Sequence, residues 1–353
     1  MEPGEIVLEL APGPGRFRSS EGAFIALDDG RVLLAYTKFV GGYKDDASAV
    51  IVSRVSADGG GTWSADDAPV VAGEGKSNVM SVSLVRLADG RVLLVYLVKD
   101  TNREVRPRVR FSADECRTWS APVDVTTEHG MFIVNNDRVV QLRSGRLVVP
   151  TAWRPPAGVD GSENWVCAAT AFLSDDAGKT WRRSRNVVRL DDPRTESGLQ
   201  EPGVVELADG RLWAWSRTDM GGQYGFSSTD AGETWSAAGP TEFLSPLSPM
   251  SVRRIPSTGR LLAVYNDHSG RFPFDEVERG RQPLVSAVSR DEGKTWGGHR
   301  LVEGDLRRGY HYTAILFTGD GHALLGYCAG PKGPGKQLNT LRVRRIPIEW
   351  FSR

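Results

Sequence analysis

Cysteine is scarce in this chain. Its 353 residues hold three, Cys116, Cys167 and Cys328, far apart and without C-x-x-C spacing, so neither a disulfide framework nor a zinc-binding set is expected. The five histidines, His129, His268, His299, His311 and His322, include no H-x-x-x-H or H-x-H pair. They read as scattered packing or hydrogen-bonding residues, and no metal or other cofactor is expected. No run approaches the roughly 18 apolar residues of a membrane span. The start, MEPGEIVLEL, lacks the basic stretch followed by an apolar one that marks an export signal. A reducing, cytoplasmic setting is the expectation, or a secreted one if such a signal had been trimmed. Net charge is absent too: Lys+Arg 44 balances Asp+Glu 44, so no global field favours nucleic acid or an anionic membrane as a partner. Nothing in the composition fixes an oligomeric state.

What the chain does have is repetition. An octapeptide occurs five times, as SADGGGTW (56–63), SADECRTW (112–119), SDDAGKTW (174–181), STDAGETW (228–235) and SRDEGKTW (289–296). The shared pattern is S-x-D-x-G-x-T-W, broken only by Cys116 in the second copy. Its aspartate can accept hydrogen bonds from the turn's own backbone and its glycine supplies a positive φ; threonine and tryptophan then restart a strand. These five aspartates read as turn builders. A second repeat runs in phase: FIALDDGRVLLAY (24–36), SLVRLADGRVLLVY (83–96), VVQLRSGRLVVP (139–150), VVELADGRLWAW (204–215), SVRRIPSTGRLLAVY (251–265) and AILFTGDGHALLGY (314–327). Asp-Gly or Ser/Thr-Gly between two apolar runs is a hairpin signal.

Interleaved, the two repeats make a unit of four short antiparallel strands. Six units of about 59 residues predict an all-β chain, a six-bladed β-propeller with four-stranded antiparallel blades, forming one domain over residues 1–353. The sixth unit lacks the octapeptide. Its third strand falls within 340–351, and EIVLEL (5–10) is placed to supply the outer strand that closes the ring. GPKGPGKQ (330–337) has the spacing of a phosphate loop but ends in Gln337 in a β context, so it reads as a loop of the sixth unit.

In such a unit the Asp-Gly turns and the octapeptides share one face. The longer, varied loops lie on the other face, where function is expected. That second face collects Arg18, Glu21, Asn78, Asn135, Asn136, Asp137, Arg138, Glu201, Tyr310, His311 and Tyr312 at the starts of first strands. The loops between second and third strands add Asp45, Asp46, Trp153, Trp165, Arg217, Gln223 and Arg281. Polar, charged and aromatic side chains converging from six units are the composition of a sugar or carboxylate site.

The S-x-D-x-G-x-T-W turns resemble the Asp-boxes of the sialidase (neuraminidase) superfamily, and six units carrying them look like the bacterial exo-sialidases over essentially the whole chain. The resemblance implies a triad of arginines gripping a substrate carboxylate, matched here by Arg18, Arg217 and Arg281. Phe17 and Arg18 fit the family's Phe/Tyr-Arg-Ile-Pro, with Ser19 and Ser20 replacing Ile-Pro. It also implies a tyrosine nucleophile, Tyr312 with Tyr310 as the nearby rival, and a glutamate base, Glu201. The acid/base aspartate is Asp45 or Asp46, with Asp45 preferred. Glu21, Asn78, Asn136, Asp137, Arg138, Gln223, Tyr310 and His311 are expected to contact the sugar. FIVNNDR (132–138), RSSEG (18–22) and SPLSPMS (245–251) look like marks of a divergent branch.

The expected activity is that of a retaining exo-glycosidase, of the exo-sialidase type, removing a terminal sialic acid or related 2-keto-3-deoxy sugar acid. Its expected partner is an acidic sugar or glycan. Two other readings stay open: a propeller that binds acidic glycans without chemistry, and a polysaccharide lyase or uronic-acid glycosidase using Tyr312 or His311 as acid/base.

Overall fold

The computed structural model describes residues 3–156, 166–276 and 280–352. The repeats become strands in chain order. After β1 (Glu5–Leu10), the first unit forms β2 (Arg18–Ala26), β3 (Val32–Phe39), β4 (Ala49–Ser56) and β5 (Ala68–Val71). The second forms β6 (Asn78–Arg86), β7 (Val92–Lys99), β8 (Val105–Ser112) and β9 (Val123–Asp124), and the third β10 (Met131–Ile133), β11 (Val140–Gln141), β12 (Leu147–Arg154), β13 (Ala168–Ser174) and β14 (Arg182–Arg183). The fourth gives β15 (Gln200–Glu206), β16 (Leu212–Arg217), β17 (Gly222–Ser228) and β18 (Gly239–Leu244). The fifth gives β19 (Ser251–Arg254), β20 (Leu261–Asn266), β21 (Leu284–Ser289) and β22 (Gly297–Glu303), and the last β23 (His311–Phe317), β24 (His322–Cys328) and β25 (Leu341–Pro347).

The fold is all-β, a propeller arrangement of four-stranded antiparallel sheets, but the expectation of six separate blades needs correction. Among the described residues four sheets are discrete and four-stranded, and the second and third units share one nine-stranded sheet. The cause is the third unit's broken inner strand. Residues 134–139 leave the sheet between β10 and β11, and the stranded piece β10 pairs with the far end of β12, from Met131↔Arg154 to Ile133↔Ala152. Its other edge meets β8 of the preceding unit in a parallel bridge at Met131↔Val105. The chain ends meet in the last sheet, where β1 lies along β25 from Glu5↔Arg345 to Leu10↔Leu341.

Alternating residues of each sheet face the next sheet. Among the described residues this gives six apolar clusters, each drawn mainly from two consecutive units. One joins the last unit to the first, through Ala314, Leu324, Leu341 and Val343 on one side and Phe24, Leu34, Tyr36 and Val52 on the other. Burying such side chains contributes about 1.5–3 kcal/mol each for Val, Leu and Phe, so the ring is held by packing between sheets.

The octapeptides fold as their chemistry dictates. In SDDAGKTW, Ser174 Oγ donates to Asp176 Oδ1 at 2.8 Å and accepts the Gly178 amide at 2.8 Å. The Thr180 amide and hydroxyl donate to the two oxygens of Asp176 at 2.9 and 2.6 Å. The aspartate–threonine bonds recur at Asp58, Asp114, Asp230 and Asp291. One feature exceeds the sequence reading: the residue before each glycine position is also left-handed, with φ of 69° at Gly59, 59° at Glu115, 57° at Ala177, 56° at Ala231 and 61° at Glu292. Two successive positive-φ residues make a tight mirror-image turn inside each octapeptide.

Candidate active site

A backbone irregularity, repeated around the ring, builds the site. The pairing register breaks between Ser20 and Ala23 in β2, Met80 and Ser83 in β6, Gln200 and Gly203 in β15, and His311 and Ala314 in β23. Inside each break lies a non-glycine residue with positive φ: Glu21 at 54°, Ser81 at 57°, Glu201 at 47° and Tyr312 at 59°. Asp137, at 56°, takes the same conformation in the third unit's broken strand. Each costs on the order of 1–2 kcal/mol, and bulges of this kind re-aim a side chain. Gly203 completes the break in the fourth unit: a Cβ there would sit 2.3 Å from the Trp215 ring.

The bulges bring Glu21, Glu201 and Tyr312 to one locus. The Tyr312 hydroxyl donates to Glu201 Oε1 at 3.1 Å. Arg217 Nη2 donates to the same oxygen at 3.0 Å, while its Nη1 lies 3.4 Å from the Tyr312 hydroxyl. Gln200 Oε1 steadies the guanidinium by accepting from Nε and Nη2 at 3.2 and 2.9 Å. Arg217 and Arg281 stand 5.9 and 5.8 Å from the Tyr312 ring centre, within range of a cation–π attraction. Glu201 Oε2 is buried and has no hydrogen-bond partner among the described residues. Burial holds the Tyr312 phenol well above its ordinary pKa; Arg217 opposes this and Glu201 adds to it. Tyr312 is therefore a neutral donor at rest.

Arg18 forms the other half. It is 1% exposed and lies 4.3 Å from the Phe39 ring centre. Its Nε donates to Ser20 Oγ at 2.8 Å, its Nη2 to Glu21 Oε1 at 3.1 Å and its Nη1 to Asp45 Oδ1 at 2.5 Å. Partial loss of water works to raise the pKa of Asp45, although its side chain is still 62% exposed, and Arg18, then Lys99 and Arg281, outweigh this, so its carboxyl lies below the usual aspartate range. Glu21 is the opposite case. Burial pushes it up to about 7 against the pull of Arg18, with Asp45 and Glu201 raising it further and a hydrogen bond from Ser81 lowering it.

The Glu21 shift carries a sign. A carboxyl whose folded pKa lies above its ordinary 4.5 binds its proton more tightly in the native state. Its contribution to stability is therefore present at low pH and lost as pH rises from about 4.5 to about 7. Glu21→Gln should abolish that loss. Urea unfolding at about pH 5 and pH 8 checks it: the variant should gain on wild type at the higher pH, and an unchanged difference would show that Glu21 does not titrate in this window.

The other expected contacts are distributed differently. Asn78 Nδ2 donates to the carbonyls of Asp45 and Ala47 at 2.9 and 2.8 Å, so it braces the Asp45 loop. Asp46 is exposed, and Arg18 pairs with Asp45 rather than with it. Asn136, Asp137 and Arg138 lie in the segment that leaves the third unit, and their bonds run to protein groups. Asn136 Nδ2 donates to the carbonyls of Gly22 and Tyr312 at 2.7 and 3.1 Å. Asp137 accepts the Ile315 amide at 2.9 Å and Arg253 Nη2 at 2.5 Å. Arg138 donates to Ser251 Oγ and the Met250 carbonyl at 3.0 and 2.8 Å. Gln223 Nε2 is bound to Ser245 Oγ and the Ser248 carbonyl at 2.7 and 2.8 Å. Asp137 and Arg138 thereby join the third unit to the fifth and sixth, while Gln223 binds the segment that follows β18. Tyr310 is fully buried in the apolar cluster between the last two units, against Tyr327. His311 is buried with its ring 5.0 Å from that of Tyr312. Trp165 lies outside the described residues.

Sequence reasoning missed Lys99, Ser81 and Gln200. Lys99 is buried and its Nζ donates to the Asp45 carbonyl at 3.0 Å. Ser81 occupies the second unit's bulge and donates to Glu21 Oε2 at 3.4 Å; the repeated bulge position was the signal that could have found it. Among the described residues no group of three or more His, Cys, Asp or Glu could hold a metal ion.

Known proteins share this framework. The BNR repeat-like domain family matches residues 30–325. A sialidase of Bacteroides fragilis is 24% identical over 297 residues, covering 74% of this chain, and the chain spans about half the length of that curated relative, 50%. Among solved structures, a protein of unknown function from Dyadobacter fermentans superposes with a TM-score of 0.75 at 17% identity, over 98% of this chain and all of the other, 100%. The NanB sialidase of Streptococcus pneumoniae gives 0.73 at 15%, over 99% of this chain and 71% of that one. A leech intramolecular trans-sialidase gives 0.77 at 15%, over 99% and 70%. The structures share the fold. With its family match extending over most of its length, the chain belongs to the BNR repeat-like domain family.

Proposed function

We propose that this protein is a retaining exo-glycosidase that removes a terminal sialic acid or a related 2-keto-3-deoxy sugar acid from a glycan. The observation that carries the reading is the hydrogen bond from the Tyr312 hydroxyl to Glu201 at 3.1 Å, flanked by Arg217 and Arg281. A phenol suits this sugar because a carboxylate nucleophile would be repelled by the acid group on the anomeric carbon. In the first step the Tyr312 oxygen bonds to the anomeric carbon as its proton passes to Glu201. Asp45 protonates the glycosidic oxygen and the aglycone leaves. In the second step Asp45 takes a proton from water, the water oxygen bonds to the anomeric carbon, and Tyr312 leaves and recovers its proton from Glu201. Two displacements give net retention. Arg18, Arg217 and Arg281 would hold the sugar carboxylate by charge-assisted hydrogen bonds.

The relatives named as sialidases support this class of activity. The test is release of 4-methylumbelliferone from its sialic acid, Kdn and Kdo glycosides. Release from one of them by the wild type is the expected result, and its identity names the sugar. Binding of the free acids without release from any glycoside would make the protein an acidic-glycan binder instead.

A further inference from the structure

Arg18 cannot grip a carboxylate with both terminal nitrogens as it stands. Of its five N–H donors, Nε reaches Ser20, Nη1 reaches Asp45 and the Tyr43 carbonyl, and Nη2 reaches Glu21, which leaves a single N–H on Nη2, so a two-pronged bond requires Nη1 to release a partner. Glu21 is confined, its side chain 5% exposed, whereas that of Asp45 is 62% exposed. The backbone of Asp45, however, is held. Its carbonyl accepts from Asn78 Nδ2 and Lys99 Nζ, and Asn78 takes the Ala47 carbonyl as well. Asn78 and Lys99 face each other in the β6–β7 ladder, so both braces stand on one strand pair.

We propose that Asp45 is a resident counter-ion of Arg18 which the substrate carboxylate displaces, and that Asn78 and Lys99 are positioning residues that hold its backbone while its side chain swings towards the glycosidic oxygen. This rests on the acidic-sugar reading of the site. Its chemical consequence concerns when the acid is ready. On Arg18, Asp45 is held ionised. Released, and facing a second carboxylate with Glu21 nearby, it loses its hydrogen-bonded cation and takes up a proton more readily. Substrate binding would thus arm the acid, and the empty site would hold it as a base.

Three measurements test this. Acetate serves as a bare carboxylate probe, and Asp45→Asn removes the resident charge while keeping the backbone. Acetate at about 100 mM should raise the melting temperature of the variant and leave the wild type nearly unchanged. Free N-acetylneuraminic acid should bind the variant about tenfold more tightly, the scale of one charge-assisted hydrogen bond. A variant that binds acetate no better than wild type overturns the exchange. Discrimination by acetate without binding of sugar acids, Kdn and Kdo included, keeps the exchange and removes the proposed substrate. For the braces, Lys99→Met should accelerate amide hydrogen exchange at residues 43–48 about tenfold, and Lys99→Arg should restore it, since protection there reports local opening. Asn78→Ala gives the same reading if Lys99→Met does not fold. Unchanged exchange in the folded variant ends the positioning role.

Discussion

Replacing Tyr312 with phenylalanine is expected to lower kcat by at least about 10³-fold while KM changes little. The substitution removes one oxygen and keeps the ring, so Arg217 and Arg281 retain an aromatic face at 5.9 and 5.8 Å and the carboxylate grip is preserved. What disappears is the atom that would bond to the anomeric carbon, together with the donor to Glu201. The left-handed backbone at Tyr312, φ 59°, is as strained for phenylalanine as for tyrosine, so folding should be similar. Initial rates on whichever fluorogenic glycoside the wild type cleaves give the answer. Turnover within about tenfold of wild type, a loss below even the scale of general acid–base contributions, would remove Tyr312 from the reaction.

A second large effect is expected on stability rather than on the chemistry. Asp137→Ala should cost about 3 kcal/mol of stability or more, because it strands groups on two other units. Arg253 loses its carboxylate partner at 2.5 Å and the Ile315 amide its acceptor at 2.9 Å. The native φ of 56° suits aspartate better than alanine, which adds to the cost. Urea unfolding measures the loss. The fraction that folds should keep its KM, since Asp137 is committed to the ring. A stable variant with a raised KM would return Asp137 to the sugar site.

The hairpins and octapeptide turns were legible because their signals are local: apolar alternation, Asp-Gly, and a serine, aspartate and threonine close enough to bond one another. The shared sheet of the second and third units was not. FIVNNDR reads as polar residues at the start of a strand, and nothing within it shows that Asn136 reaches Gly22 and Tyr312, or that Asp137 reaches Ile315. A polar residue that bonds distant backbone looks, in sequence, like one that bonds a ligand. Tyr310 and Tyr312 illustrate a second limit. Residues two apart share a face in a regular strand, so sequence left them as rivals; the bulge at Tyr312 separates them, one into the site and one into the core. Asp45 and Asp46 are distinguished by distant partners, Arg18, 27 residues away, on the side chain and Asn78 and Lys99 on the backbone. Lys99 ends the apolar run VLLVYLVK and reads as the edge of a strand.

The most direct test of the central claim is to quench the protein during incubation with a slow fluorinated sugar-acid glycoside and map the peptides by mass spectrometry. One sugar-acid residue bonded to Tyr312 is expected, with retained configuration in the released product. An adduct on another residue, or an inverted product with no adduct, would contradict it.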